Sequence, residues 1–299
     1  MNPVTVKPVP SGTPLVLFFH GNSFPASTYK VMLNELRRRG LQVHSLEKIG
    51  HNPAYPVTSN WPHLVEEVQA FARPLVDAHQ GPVVLVGHSL GGMLSLMLAA
   101  QYPELAHAVA MVDAPAVAGW QAHVLQLSKK LSLTNTFSPG AVSQKRRHVW
   151  ANLEEVRAHF ASKKHFARWH PQVLEDYIQH GTEEALVDGQ VQRVLCFSRD
   201  IETQIYNSVP HNLELILKRH PLKCPVSLVA ARHSREMRIA GGDFTKRVTK
   251  GRVTIIDGTH LVPMESPLAT AAAVEAAILN MLGPVVSQSL SLPNHQATV

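Results

Sequence analysis

An α/β fold with a mainly parallel central sheet and helices on both faces is predicted by three features of the 299-residue sequence. Short apolar runs without polar alternation read as strands buried on both sides. They alternate with stretches of helical periodicity, as crossover connections require. The junction between one such strand and its helix is a serine set among glycines, a sharp strand-to-helix turn.

The first strand is the run Pro14-Leu15-Val16-Leu17-Phe18-Phe19, ending at His20-Gly21-Asn22. Tyr29, Met32, Leu33 and Leu36 repeat at helical spacing until Arg37-Arg38-Arg39-Gly40, where basic residues and a glycine stop the helix. A short strand, Gln42 to Leu46, leads into a long loop from Gly50 to Pro62, and Leu64, Val65, Val68, Phe71 and Leu75 mark the next helix. The run Pro82 to Val86 then meets Gly87-His88-Ser89-Leu90-Gly91-Gly92, followed by Met93, Leu94, Met97 and Leu98 on a helix. Val109 to Val112 form a strand closed by Asp113 and the breaker pair Ala114-Pro115.

From Pro115 to Leu222 the pattern changes to helical pieces without a central apolar strand. Trp120, Val124, Leu127 and Leu131 form one stripe, and Val173, Leu174, Tyr177 and Ile178 another. Strands return at Pro225 to Ala230 and Arg252 to Ile256, and Leu268, Ala271, Val274, Ile278 and Leu282 carry a final helix up to Gly283-Pro284. The expected organisation is a core of residues 1–114 and 223–284, an inserted helical cap at 115–222, and a flexible polar tail at 285–299.

Composition narrows the function classes. Hydrophobic residues make up 45% and charged residues 17%, which supports a sizeable core. The net charge is +6, but Lys and Arg gather chiefly between Lys129 and Arg168 and form no groove-length stripe, so nucleic acid is not the expected partner. Neither a signal peptide nor a membrane span is evident, and the expected location is the cytoplasm. Cys196 and Cys224 read as unpaired thiols, and no His, Cys or carboxylate spacing suggests a metal site. No phosphate-binding loop points to a nucleotide, so neither metal nor cofactor is expected. A homo-oligomer is left open.

A glycine-flanked serine at such a bend is exposed, and the helix behind it favours developing negative charge. Serine is a weak nucleophile at neutral pH and needs a base. Of 18 histidines, His260 is best placed, on the loop after the last strand in Gly258-Thr259-His260.

His20-Gly21-Asn22, Gly87-His88-Ser89-Leu90-Gly91-Gly92 and Gly258-Thr259-His260, in that order and with a cap-sized insertion between the last two, resemble the α/β-hydrolase-fold serine hydrolases from about Pro14 to Leu282. The resemblance implies attack by Ser89 on a carbonyl, with His260 as base and then acid, through an acyl-enzyme that water hydrolyses. It implies an oxyanion hole from the backbone N–H of Leu90 and of Asn22 or Ser23. His-Gly-Asn also occurs in the dehalogenase branch, but an aspartate stands at the elbow there.

The acid is where this chain departs from the pattern. Ala231-Arg232-His233-Ser234-Arg235-Glu236 follows the strand after which much of the family carries an aspartate, and Ser234 stands where that acid is expected. Asp113, at the end of the strand after the nucleophile helix, is the preferred acid and Glu236 the alternative. Asp257 is too close to His260 in the chain to reach its far nitrogen.

The expected substrate is a small carboxylic ester or related acyl compound. A C–C bond hydrolase, a lactonase or an acyltransferase would use the same residues, and a binding protein that merely retains the fold is the alternative of another class. Trp120, Phe137, Trp150, Phe160, Phe166 and Trp169 read mainly as cap core. The basic runs around Lys145 and Lys163 read as solvated faces; pointing inward, they would favour an acidic substrate.

Overall fold

The computed structural model describes residues 8–114, 139–240 and 242–283. Its centre is a six-stranded sheet in the order β2-β1-β3-β4-β8-β9, built from β1 (Leu15–Phe19), β2 (Gln42–Ser45), β3 (Val83–His88), β4 (Ala108–Val112), β8 (Val226–Ala231) and β9 (Val253–Ile256). Every pairing is parallel. β1 and β3 are buried along their whole length, which explains their unbroken apolar sequence.

Alternation along the strands divides the core in two. Val16, Phe18, Val84 and Val86 face one side, where α1 (Lys30–Arg38) and the last helix, α5 (Pro267–Leu282), pack with Met32, Leu36, Val274 and Ile278. Leu15, Leu17, Phe19 and Leu85 face the other, against α2 (Pro62–Asp77) and α3 (Leu90–Gln101), with α4 (Asp243–Thr249) at its margin. Each such aliphatic side chain removed from water contributes about 1.5–3 kcal/mol. The apolar face of α3 encircles the helix, since Leu90 to Ala100 are all buried. That is why its sequence lacks a polar stripe.

Chain direction across the sheet reverses between β1, which leads outward to β2, and β3, which leads to β4. Loops leaving two such strands diverge and open a crevice at their carboxyl ends. Asn22 follows β1 and Ser89 follows β3, so both motifs face this crevice.

The inserted segment is less helical than the sequence suggested. Helices at Leu153–Ala161, Pro171–His180 and Arg199–Asn207 are joined by a three-stranded antiparallel sheet, β5 (Val149–Trp150), β7 (Gln190–Leu195) and β6 (Thr182–Val187). β6 and β7 form a hairpin turning at Asp188-Gly189, whose φ values of 50° and 77° are those of a tight two-residue turn. Its strands are only half apolar, which kept them below the threshold of an apolar-run reading. The Trp120 stripe, Phe137 and the 285–299 tail lie outside the described residues. Trp150, Phe160, Phe166 and Trp169 are buried, as expected of cap core. Neither Cys196 nor Cys224 is in a disulfide.

Candidate active site

Ser89 sits between β3 and α3 at φ 52° and ψ −113°, a region that costs a non-glycine residue steric strain. Two contacts hold it there. Its N–H donates to the Val112 carbonyl at 3.1 Å, and the Gly91 N–H donates to the His20 carbonyl at 3.1 Å, drawing the start of α3 against the end of β1. A Cβ on Gly91 would overlap the Phe19 carbonyl, and one on Gly87 would overlap the backbone of Gly91. The two glycines are therefore required by close backbone approach.

The imidazole of His260 bridges a hydroxyl and a carboxylate. Its Nε2 is 3.0 Å from Ser89 Oγ and its Nδ1 is 2.7 Å from Asp113 Oδ2. An ionised carboxylate only accepts, so the ring proton belongs on Nδ1, leaving Nε2 free to accept from the serine hydroxyl. Asp113 is fully buried and its carboxylate takes two further hydrogen bonds, from Ala231 N–H at 2.8 Å and from Ser234 Oγ at 2.6 Å. Ser234, at the position where an acid was expected, thus donates to the Asp113 carboxylate. Glu236 is exposed on the rim of the same crevice, and Asp257 faces outward to His233 at 3.2 Å.

The loop carrying His260 is pinned on both sides. Glu265 accepts from Thr259 N–H and from Thr259 Oγ1, each at 2.7 Å, while the His260 carbonyl accepts from His88 Nε2 at 2.8 Å. Sequence reasoning assigned no role to His88 or to Tyr29. The Tyr29 hydroxyl lies 2.8 Å from His88 Nδ1 and accepts from the Gly21 N–H at 3.0 Å. One neutral tautomer satisfies this chain: Gly21 donates to Tyr29, Tyr29 to His88, and His88 to the His260 backbone. Burial, and then the neighbouring His260, push His88 down to about 3, so the ring is neutral at physiological pH. The only signals in the sequence were a histidine inside the elbow and a tyrosine on a helical stripe.

Of the three expected oxyanion donors, Leu90 opens α3, where the N–H has no intrahelical acceptor. Asn22 shares a cavity of about 510 Å3 with Ser89, His260 and Tyr206. Ser23, at φ 78°, lines the adjoining cavity instead. The Gly21 N–H is already committed to Tyr29. The Asn22 side chain is tied away from the serine, with Nδ2 donating to the Glu202 carbonyl at 3.1 Å.

Among the described residues no cluster of three or more metal-ligating side chains occurs, and no helix is long and apolar enough to cross a membrane. Arg146 lines the adjoining cavity, with both oxygens of buried Glu202 accepting from it at 3.0 and 2.9 Å.

Comparison with known proteins agrees with the fold. A family model described as the alpha/beta hydrolase family matches residues 16–273. A putative non-heme haloperoxidase of Mycobacterium phage D29 is 32% identical over 116 residues, 38% of this chain and 40% of that protein. The monoglyceride lipase of Rattus norvegicus is 32% identical over 104 residues, 31% of this chain and 33% of the lipase. The matched stretch thus spans less than half of either relative. The crystal structure of E-2-(acetamidomethylene)succinate hydrolase superposes with a TM-score of 0.65 at 22% identity, covering 90% of this chain and 93% of that one, a likeness of fold.

Proposed function

Since the chain belongs to the alpha/beta hydrolase family, we propose that it is a serine hydrolase that cleaves a carboxylic ester or related small acyl compound through an acyl-enzyme on Ser89. The observation that carries this reading is the continuous chain from Ser89 Oγ through His260 to Asp113, at 3.0 and 2.7 Å. As the Ser89 oxygen bonds to the substrate carbonyl carbon, its proton passes to His260 Nε2. Asp113 holds the ring and stabilises the imidazolium that forms. The developing oxyanion is met by the N–H groups of Leu90 and Asn22.

Collapse of this intermediate breaks the carbon–oxygen bond to the alcohol, which leaves with the proton from His260. Water then gives its proton to His260, attacks the acyl carbon and releases the acid, restoring Ser89. No group beyond these side chains and water is required.

Labelling with a fluorophosphonate probe tests the proposal. Stoichiometric modification of the wild-type protein and none of Ser89→Ala is expected, with turnover of a short-chain ester falling about 10⁶-fold in the variant. Equal turnover by both proteins would overturn the mechanism, and failure of wild type both to label and to turn over would favour the binding-protein alternative.

A further inference from the structure

Beside the cavity that holds Ser89 lies a second one of about 760 Å3, and the two share Phe24, Val142, His165, Tyr206 and Leu261. Leu261 directly follows the proposed base, so a molecule seated in the second cavity can extend its carbonyl to the serine. The inner wall is aromatic, made by buried Phe160, Phe166, Trp169 and Tyr177. Lys145, Arg146, Arg147 and Lys163 stand around it, and among the described residues no Asp or Glu lines it.

Charge balance across this region is one-sided in the sequence itself. Between Asp113 and Glu154 there is no acidic residue, whereas Lys129, Lys130, Lys145, Arg146 and Arg147 all fall there. Whatever the placement of residues 115–138, they bring no carboxylate. Arg146 is matched by Glu202, and Arg147 by Glu155, which also binds the Ala151 N–H. Lys145 and Lys163 have no acidic partner among the described residues. The two histidines of the wall register the resulting field. His159 and His165 are both held below the ordinary histidine range, first by burial and then by Lys163, with Arg146 adding to it.

We propose that the second cavity is an anion subsite, and that the substrate is an acyl compound with an apolar body and a carboxylate at the end remote from the scissile bond. The aromatic wall receives the body, Lys163 and Lys145, the cations without an acidic partner among the described residues, receive the carboxylate, and the scissile carbonyl lies at Ser89. This inference rests on the proposed hydrolase activity and adds the class of substrate. Half-buried Arg146, paired with buried Glu202, acts as a fixed floor, because its charge is already balanced.

Three para-nitrophenyl esters of equal chain length test it on the full chain: the monoester of adipic acid, the hexanoate, and the ε-aminohexanoate. The expected order of kcat/KM is anionic, neutral, cationic, with roughly a fivefold step for each well-placed cation. Raising ionic strength from about 0.02 M to about 0.5 M should compress the order. Lys163→Gln combined with Lys145→Gln should bring the anionic-to-neutral ratio toward one, mainly through KM.

A neutral ester used as well as the anionic one, with a ratio indifferent to salt and to the double substitution, overturns the anion subsite while Ser89 still labels and turns over. Absence of both labelling and turnover overturns the hydrolase reading and the subsite with it. Substitution of Lys163 alone, exposed and without an ion pair among the described residues, keeps the test usable should the double variant fold poorly.

Discussion

At the carboxyl edge of the sheet, Asp113 is fully buried and receives three hydrogen bonds, whereas Lys163 in the inserted segment is exposed and has no acidic partner among the described residues. The same contrast runs through both regions. Around Ser89 the groups are held by partners on rigid strands and by backbone contacts too close for any side chain. In the inserted segment the charges stand at the rim of a cavity over an aromatic wall. A fully satisfied network fixes geometry, while exposed charges in high dielectric can be exchanged at little cost to stability. On the proposed reading, one region sets which bond-making step is available, and the other sets which molecule reaches it.

The sharpest way to test the first half of that contrast is to separate the two acids. Asp113→Asn keeps the shape but presents an amide to His260 Nδ1, favouring the wrong tautomer. A loss of about 10⁴ in kcat is expected, with the secondary structure intact. Glu236→Gln, on the exposed rim, should stay within about threefold of wild type, the scale of a screened surface charge. Kinetics of both variants on one neutral ester decide the matter. A larger loss in Glu236→Gln would break the assignment of Asp113.

Acid should unfold the sheet-edge network. His20 and His88 are buried and neutral: His20 donates from Nδ1 to the Gly21 carbonyl and accepts the Ile49 N–H, and burial lowers it to about 4, with His88 at about 3. Both lie below the unfolded value of about 6.5, so as pH falls beneath that value the unfolded chain takes up protons that the native one refuses. Stability is then lost on acidification through the window from about 6.5 to about 4, by about 1.4 kcal/mol per pH unit for each such histidine.

Glu67 works in the opposite sense. Burial lifts it to about 7 while it accepts the Gly50 N–H at 2.7 Å, so the native state binds its proton more tightly and gains on acidification. Thermal unfolding followed from pH 7 to pH 4.5 should show a falling midpoint, and Glu67→Gln should steepen the fall. A midpoint that rises on acidification would contradict the buried neutral histidines.

What the sequence disclosed follows from how local each signal is. The strands, α3 and the elbow were legible because unbroken apolar runs and paired glycines report on a few consecutive residues. The choice of acid was harder, since Asp113 and Glu236 differ only in how their loops fold toward a histidine far away in the chain. Ser234 marks the difficulty: it occupies the expected acid position, yet its hydroxyl donates to Asp113. The bridge from Gly21 through Tyr29 and His88 to His260 could not be seen, because Tyr29 satisfied a helical stripe and His88 filled a variable position of the motif. In the inserted segment, the weakly apolar β6 and β7 hid behind the helices that flank them, although Asp188-Gly189 was a turn signal in plain view.

The hairpin also provides the smallest expected effect and the check on the second half of the contrast. Leu186 is 75% and Val191 67% exposed, and the two face one another across β6 and β7 without cover from any described residue. A residue that stays in solvent loses little when its apolar atoms are removed, whatever its β propensity. Leu186→Ser and Val191→Ser should each change stability by no more than about 0.5 kcal/mol, as read from urea midpoints at constant m-value. Ester turnover should also be unaffected, since neither residue lines the cavity beside Ser89 or its neighbour. A loss of about 2 kcal/mol would mean that the hairpin is covered in solution, and would turn the least constrained part of the molecule into one of its contact surfaces.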